Sequence, residues 1–415
     1  MSFAVPITFA NGWRIGAALA STVLFAGTAL AAPYVPDART PAEIAVAGAL
    51  DVVGGRPTGP YVPITGAIDA LPNADARAEA LGQLSTRNYR LLPRMAIQSL
   101  DATDRALRGY LVQRREMAFD ASPSVPQRGD RTLNMMVSYG LKQAKFKGRP
   151  DRPVANSDSR SILAAVDVTP MRGLIAGITM GIDGIDTNLD RSQRPRSTLF
   201  NASFGGYASY TDGRFYVDAT AAYAKTDYKV RRQVAFSGFS DQLTSKPHGD
   251  NGAATVEAGM ILQRGAIRAE PFGGLQYRYA DLSGFAEQDV DAPGGPAALG
   301  VARFRTQAVR SSLGTRLTAS TGSGRWTLRP SIEAQWQREL RARPDSRIEA
   351  VFLSGGTPIF TLPRSRVLAR DAGLVSAGLT AVHGERTALR LSYTGEFSSD
   401  RRVHMFGVSL NRRLP

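Results

Sequence analysis

The 415-residue chain contains no cysteine, which excludes disulfides and thiolate metal sites. Histidine is nearly absent as well. His248, His383 and His404 are the whole set, and each reads as a solvated loop or turn residue. Gly-x-Ser-x-Gly elbows, His-Glu-x-x-His pairs and phosphate loops are missing. The glycine-rich run "GGPAALG" at 294–300 links no strand to a helix, so it reads as a loop turn rather than a nucleotide cradle. No catalytic residue, cofactor or metal is therefore expected. Lysine is scarce, with six among 51 basic residues, so the net charge of +15 is almost all arginine. Clustered basic helices, zinc fingers and aromatic RNA-binding motifs do not occur, and nucleic acid is not an expected partner. Arginine-rich composition on a solvated surface, or attraction to an anionic surface, accounts for the charge. Past residue 32 no apolar run approaches the roughly 20 residues of a membrane-crossing helix.

What is present begins with an export signal. Arg14 precedes an apolar run from Ile15 to Leu30, and Ala29-Leu30-Ala31 supplies the small residues of a cleavage site. Residues 1–31 are expected to be removed after Ala31, with a retained anchor as the other reading. Residues 32–118 then carry helix-favouring Ala, Glu and Leu at 41–53 and 75–84. Over 95–115, Ile97, Leu100, Leu107 and Leu111 recur at helical spacing, while Asp101, Asp104, Arg105, Arg108, Arg114 and Arg115 fill much of the remaining surface. The stretch 119–131 reads as a loop by its Pro, Ser and Gly.

Residues 132–415 change period. "RWTLRPSIEAQWQREL" (325–340) places Trp326, Leu328, Pro330, Ile332, Ala334 and Trp336 on one face and Thr327, Arg329, Ser331, Glu333 and Gln335 on the other. About twelve such segments occur, an even number as a single-chain outer-membrane barrel requires. Tight turns such as Asp212-Gly213 alternate with long polar stretches at 144–159, 184–196, 229–252, 283–305 and 342–365. In a barrel the short turns face the periplasm and the long loops face outside. The period therefore predicts an all-β, 12-stranded antiparallel transmembrane β-barrel with its apolar face in lipid. Asp218, Glu257, Arg268, Glu270, Arg310, Arg329, Glu333 and Arg390 fall on the face expected to line the lumen.

The segments "FGGYASYTDGRFYVDATAAY" (204–223), "EPFGGLQYRY" (270–279), "LRPSIEAQWQREL" (328–340) and "AGLVSAGLTAVHGERTALRLSYTGEF" (372–397) resemble those of the autotransporter (type V secretion) family. "ALGQLSTRNYRLLPRM" (80–95) is similar to the stretch before the barrel in many members. The resemblance covers roughly residues 40–415. It implies a translocator barrel in the outer membrane of a Gram-negative bacterium, passing or presenting an N-terminal passenger at the cell surface; in this sequence that passenger is expected to be very short. It also implies a helix near 95–115 threading the lumen, with Arg105, Arg108, Arg114 and Arg115 against a wet pore wall. Packing of that helix in the periplasm is the other reading. The implied partners are outer-membrane lipid and lipopolysaccharide, the barrel-assembly machinery, periplasmic chaperones and the chain's own N-terminal segment. Two features depart from the family: the expected passenger is short, and the chain finishes on Leu414-Pro415 rather than an aromatic. A channel or structural β-barrel without secretion is the alternative function, and an exported soluble β-rich protein a third.

Overall fold

The computed structural model describes residues 7–8, 14–15, 34–54, 56, 58–120, 133–148, 154–189, 196–290, 295–323, 325–341, 346–384 and 386–414. The expected cleavage site at Ala29 and Ala31 lies outside them, as does nearly all of the expected loop. Among the described residues four α-helices precede the sheet: α1 (Pro41–Asp51), α2 (Val62–Asp69), α3 (Ala74–Leu84) and α4 (Leu92–Asp120). Local chemistry starts them. The Thr40 hydroxyl accepts from the Glu43 amide at 3.3 Å and the Glu43 carboxylate accepts from the Thr40 amide at 3.0 Å, with Pro41 in the first turn. Asn73 caps α3 through the Ala76 amide at 2.9 Å. Helix α2 has no strong period and was not expected. Helix α4 continues to Asp120, two residues into the stretch read as loop, and its 29 residues reach about 43 Å at 1.5 Å per residue.

Twelve antiparallel strands follow. They are β1 (Asn134–Phe146), β2 (Ala155–Met171), β3 (Leu174–Leu189), β4 (Arg196–Thr211), β5 (Phe215–Phe236) and β6 (His248–Met260), then β7 (Ile267–Leu282), β8 (Phe304–Ala319), β9 (Trp326–Glu339), β10 (Asp371–His383), β11 (Thr387–Ser398) and β12 (Arg401–Arg413). Each pairs with its neighbours in sequence, and β12 pairs with β1 from Arg401↔Phe146 to Arg413↔Asn134, which closes the cylinder. Closure leaves no edge for lipid to meet. At one end the chain reverses in tight turns. In that between β4 and β5, Asp212 accepts from the Arg214 and Phe215 amides at 2.8 and 2.7 Å while Gly213 takes a φ of +99° that a side chain would resist.

Burial alternates along every wall. On β9, Trp326, Leu328, Ile332 and Trp336 are exposed, Ile332 by 59%, while Arg329, Ser331 and Gln335 are buried. An exposed isoleucine is misplaced against water and well placed against hydrocarbon. Along β9 the outward apolar set runs from Trp326 to Trp336, close to the 9–11 residues that a tilted strand needs to cross.

At the long-loop end the strands overrun this belt. The last third of β5, Val230–Phe236, projects beyond it and pairs with Phe239–Ser245. The stretches 229–252, 283–305 and 342–365 are thus not simple loops. They supply strand extensions and a four-stranded sheet of Phe285–Ala286, Leu299–Val301, Ser346–Phe352 and Phe360–Ser365. Helix α1 packs on the last of these strands. Leu50, Ile64, Ile68, Leu81 and Leu84 from the helices bury against Val230, Val234, Leu282, Phe304, Ile348, Phe352 and Leu362. This cap holds the largest apolar core of the protein.

Candidate functional site: the lumen and its helix

Inward-pointing positions of the strands make a polar wall, and α4 runs through the space they enclose. Its N-terminal end lies under the cap, where Arg94 pairs with Asp400 of the β11–β12 turn at 2.5 Å. Its C-terminal half reaches the tight-turn end, where Arg114 meets Asp167 at 3.0 Å. The helix therefore threads the whole cylinder, with Tyr89 and Arg90 leading in from the cap.

Charges meet in tiers. In the upper tier Glu396 receives Arg105 of the helix at 2.7 Å and Arg401 at 2.8 Å. Arg310 stands 4.0 Å from the same carboxylate and donates to Gln337 at 3.0 Å. On β7, Arg278 bonds Asp101 and Asp104 at 3.0 Å each, and Thr220 of β5 donates to Asp104 at 2.7 Å. Asp104 and Arg108, four residues apart, also pair along the helix at 3.2 Å. In the middle tier Arg108 reaches Glu257 at 3.2 Å, and Tyr216 donates to that glutamate at 3.0 Å. Arg316 joins Glu270 at 2.9 Å and Glu333 at 2.8 Å. Below, Arg115 is fully buried between Asp218 at 2.5 Å and Glu270 at 3.7 Å, its guanidinium 3.8 Å over the Tyr216 ring. Asp167 also accepts from Tyr110 and, at 3.1 Å, from Tyr207. Paired and multiply hydrogen-bonded in this way, ions can sit in an interior that would reject them singly.

Every residue read as lumen-facing points inward. Asp218, Glu257, Arg268, Glu270, Arg310 and Arg329 are buried; Glu333 and Arg390 are half-buried. Arg268 sits against Glu270 at 2.5 Å and Arg329 lies 4.0 Å from Glu116 of the helix. Arg390 donates to Thr380 at 3.1 Å. Other members of the network escaped sequence reading. Asp167 could have been found from strand parity, since Val166 and Val168 flank it on the outward face. Nothing local marks Asp400, because its partner lies 306 residues away. His404 is placed differently from expectation, and His248 and His383 are exposed at strand termini. His404 lies within β12, its Nδ1 2.8 Å from the Tyr393 hydroxyl, whereas His248 begins β6 and His383 ends β10.

The helix is off centre. Its Ala102, Ala106 and Gly109 face a cavity of about 140 Å³ walled by Ser138, Ser376, Ser392 and Thr394. Small side chains on both surfaces leave that gap.

A closed twelve-stranded antiparallel barrel with a polar, helix-filled lumen defines a class, the outer-membrane translocator domains. A family model described as the autotransporter beta-domain matches residues 136–394, and the chain belongs to that family. The translocator domain of autotransporter NalP from Neisseria meningitidis has the same fold, with a TM-score of 0.54 at 12% identity, covering 75% of this chain and 98% of that domain. The β-domain of the Bordetella autotransporter BrkA gives 0.51 at 15% identity, covering 69% and 100%. An extracellular serine protease of Serratia marcescens is 23% identical over 248 residues, 58% of this chain and 22% of the protease. The chain thus spans about a fifth of the length of the curated relatives it matches. The translocator barrel itself is not catalytic.

Proposed function

We propose that this chain is a translocator barrel that presents a very short passenger of its own, residues 32 to about 91, as a folded cap over the outer mouth. Residues 1–31 act as the export signal in this reading, and 92–118 as the lumenal tether. The observation that carries it is the direction of α4: its N-terminal end lies at the long-loop end, so the segment ahead of it belongs outside. The buried contacts of α1–α3 with the loop sheet support a docked passenger over a trailing one. Outer-membrane lipid with lipopolysaccharide, the barrel-assembly machinery and periplasmic chaperones are the partners such a route requires.

The absence of cysteine makes a direct test simple. Ile44 is 47% exposed on α1. An Ile44→Cys variant should react with a membrane-impermeant maleimide on intact cells. An Arg172→Cys variant, in the β2–β3 turn, should react only after the outer membrane is broken. Labelling of position 44 only in broken cells would remove the proposal. The cavity beside α4 favours a second reading, a channel of low conductance. Planar-bilayer recording separates the two: a barrel that conducts steadily with the helix and cap in place supports a channel, and a silent one supports the tethered cap.

A further inference from the structure

On the outer surface the strand register places charges in rows. Above the apolar belt most rows neutralise themselves. Lys225 stands opposite Asp250, and Arg338 opposite Asp371. Arg196 and Arg231 are like-charged neighbours, as are Asp158 and Asp186, but Arg196 binds Asp186 at 3.2 Å and joins the two pairs. The β12–β1 seam is different. Arg402 stands directly opposite Lys145, both outward and exposed, and Lys147 follows one outward position further along. Among the described residues none of the three has a carboxylate partner. The nearest acid of the turn, Asp400, is buried and bound to Arg94 on the inner side. Asp158 of β2 stands diagonal to Lys145 without an ion pair to it and sits opposite Asp186, and Asp371 of β10 lies two strands from β12.

Like charges directly opposite each other in a sheet destabilise it. Neighbouring strands lie about 4.8 Å apart, close enough for one anion to bridge both side chains. An aromatic shelf begins in the same row and continues towards the belt. Phe397 is opposite Arg402, Tyr393 is opposite Phe406, and His404 lies between the rings, 6.2 Å from both Phe397 and Tyr393. Exposed rings at this height mark the border between hydrocarbon and headgroups. Three cations above an aromatic shelf match an amphiphile whose phosphate lies at the border and whose chains descend along the barrel.

We propose that Arg402, Lys145 and Lys147, with the Phe397–Tyr393–Phe406 shelf, form a binding site for the phosphate-bearing headgroup of an outer-leaflet glycolipid of the lipopolysaccharide type. The site spans the seam where the first strand meets the last. A bound headgroup there pins both closing strands at once.

The test uses the full chain purified in detergent and titrated with lipid A, dephosphorylated lipid A or inorganic phosphate. A cation near an anionic lipid surface is worth a factor of about 5 in affinity. The combined Lys145→Gln, Lys147→Gln and Arg402→Gln variant should therefore bind lipid A at least tenfold more weakly than wild type, and dephosphorylated lipid A equally. Lys225→Gln, removing a cation that has Asp250 opposite, should leave lipid A binding unchanged. Inorganic phosphate should give no saturable binding. Unchanged affinity in the triple variant would overturn the site, and saturation by inorganic phosphate would reassign it to a free anion. Equal weakening by Lys225→Gln would mean diffuse attraction only. Should the triple variant fail to show heat-modifiable gel mobility, Arg402→Gln alone serves. It relieves the like-charge pair, so without lipid it should melt no lower than wild type, and with lipid A its melting temperature should rise less.

Discussion

Helix α4 and the cap belong to one continuous segment, yet they are held by opposite physics. In the lumen α4 meets the wall through four ion pairs, Arg105 with Glu396, Arg108 with Glu257, Arg114 with Asp167 and Arg115 with Asp218, beside one small apolar cluster around Leu107 and Leu111. Outside, α1–α3 meet the loops through Leu50, Ile64, Ile68 and Leu81. The barrel reverses the usual sidedness of a protein, because its apolar faces are already satisfied by lipid and its interior must suit water and charge. Within the lumen apolar burial is limited to small clusters, such as Leu107 and Leu111 against Met136, Leu163 and Ile175, whereas beyond the membrane, where water lies on the outside again, it can dominate packing. The tether is therefore specific in direction and register, whereas the cap is a small globular core.

The sharpest way to break this contrast is to unpair a lumenal ion. Arg115→Ala removes the cation that pairs with buried Asp218, while Glu270 keeps Arg316 and Arg268. Removing one partner of a buried pair costs about 3–5 kcal/mol. The expected result is a lower temperature for the loss of heat-modifiable gel mobility, with the cap still protected from protease below that temperature. The converse change is Leu50→Ala, at a fully buried cap position. A large-to-small core substitution costs about 2–5 kcal/mol. Here the cap should become protease-sensitive on intact cells while the barrel melts where wild type does. If both variants weaken cap and barrel together, the two regions are one cooperative unit and the contrast fails.

How much of this could be read beforehand follows from the range of each interaction. Strand parity is a two-residue property, so the outward set of β9 and the inward Arg329, Glu333 and Gln335 were legible in the string itself. The alternation of tight and long connections was legible for the same reason, since turns are local. Depth was not. That Arg108 meets Glu257 rather than Glu270 depends on how far α4 slides along the axis, and no nearby residue encodes that distance. The cap was the least legible part. Its strands Leu299–Val301 and Ser346–Phe352 are only three and seven residues long, too short for a clear period, and their apolar side chains are buried with those of α1 and the β5 extension. Reading 283–305 and 342–365 as plain loops missed this because their partner lies more than two hundred residues upstream.

The smallest effect concerns how the cap responds to its medium. Asp241, on the strand that extends β5, lies beside Asp289 of the next loop, and burial together with that second carboxylate raises its pKa to about 6. Arg232, the nearest cation, opposes the shift only in part, because it is held by Glu287 at 2.7 Å and by the carbonyl oxygens of Gln83 and Ala297. The folded cap thus binds a proton more tightly than the unfolded chain, whose aspartate titrates near its ordinary value of about 3.9. Stability from this proton is complete below the unfolded value and is lost as pH rises through about 6. Amide hydrogen exchange, corrected for the intrinsic effect of pH, should show cap residues around Leu243 and Leu299 better protected at the acid end of that window than above it. Asp289→Asn removes the neighbouring charge and should flatten the dependence, while exchange in the lumenal tiers stays unchanged in both proteins. A pH response of equal size in α4 and in the cap would show that the carboxylate pair is not its source.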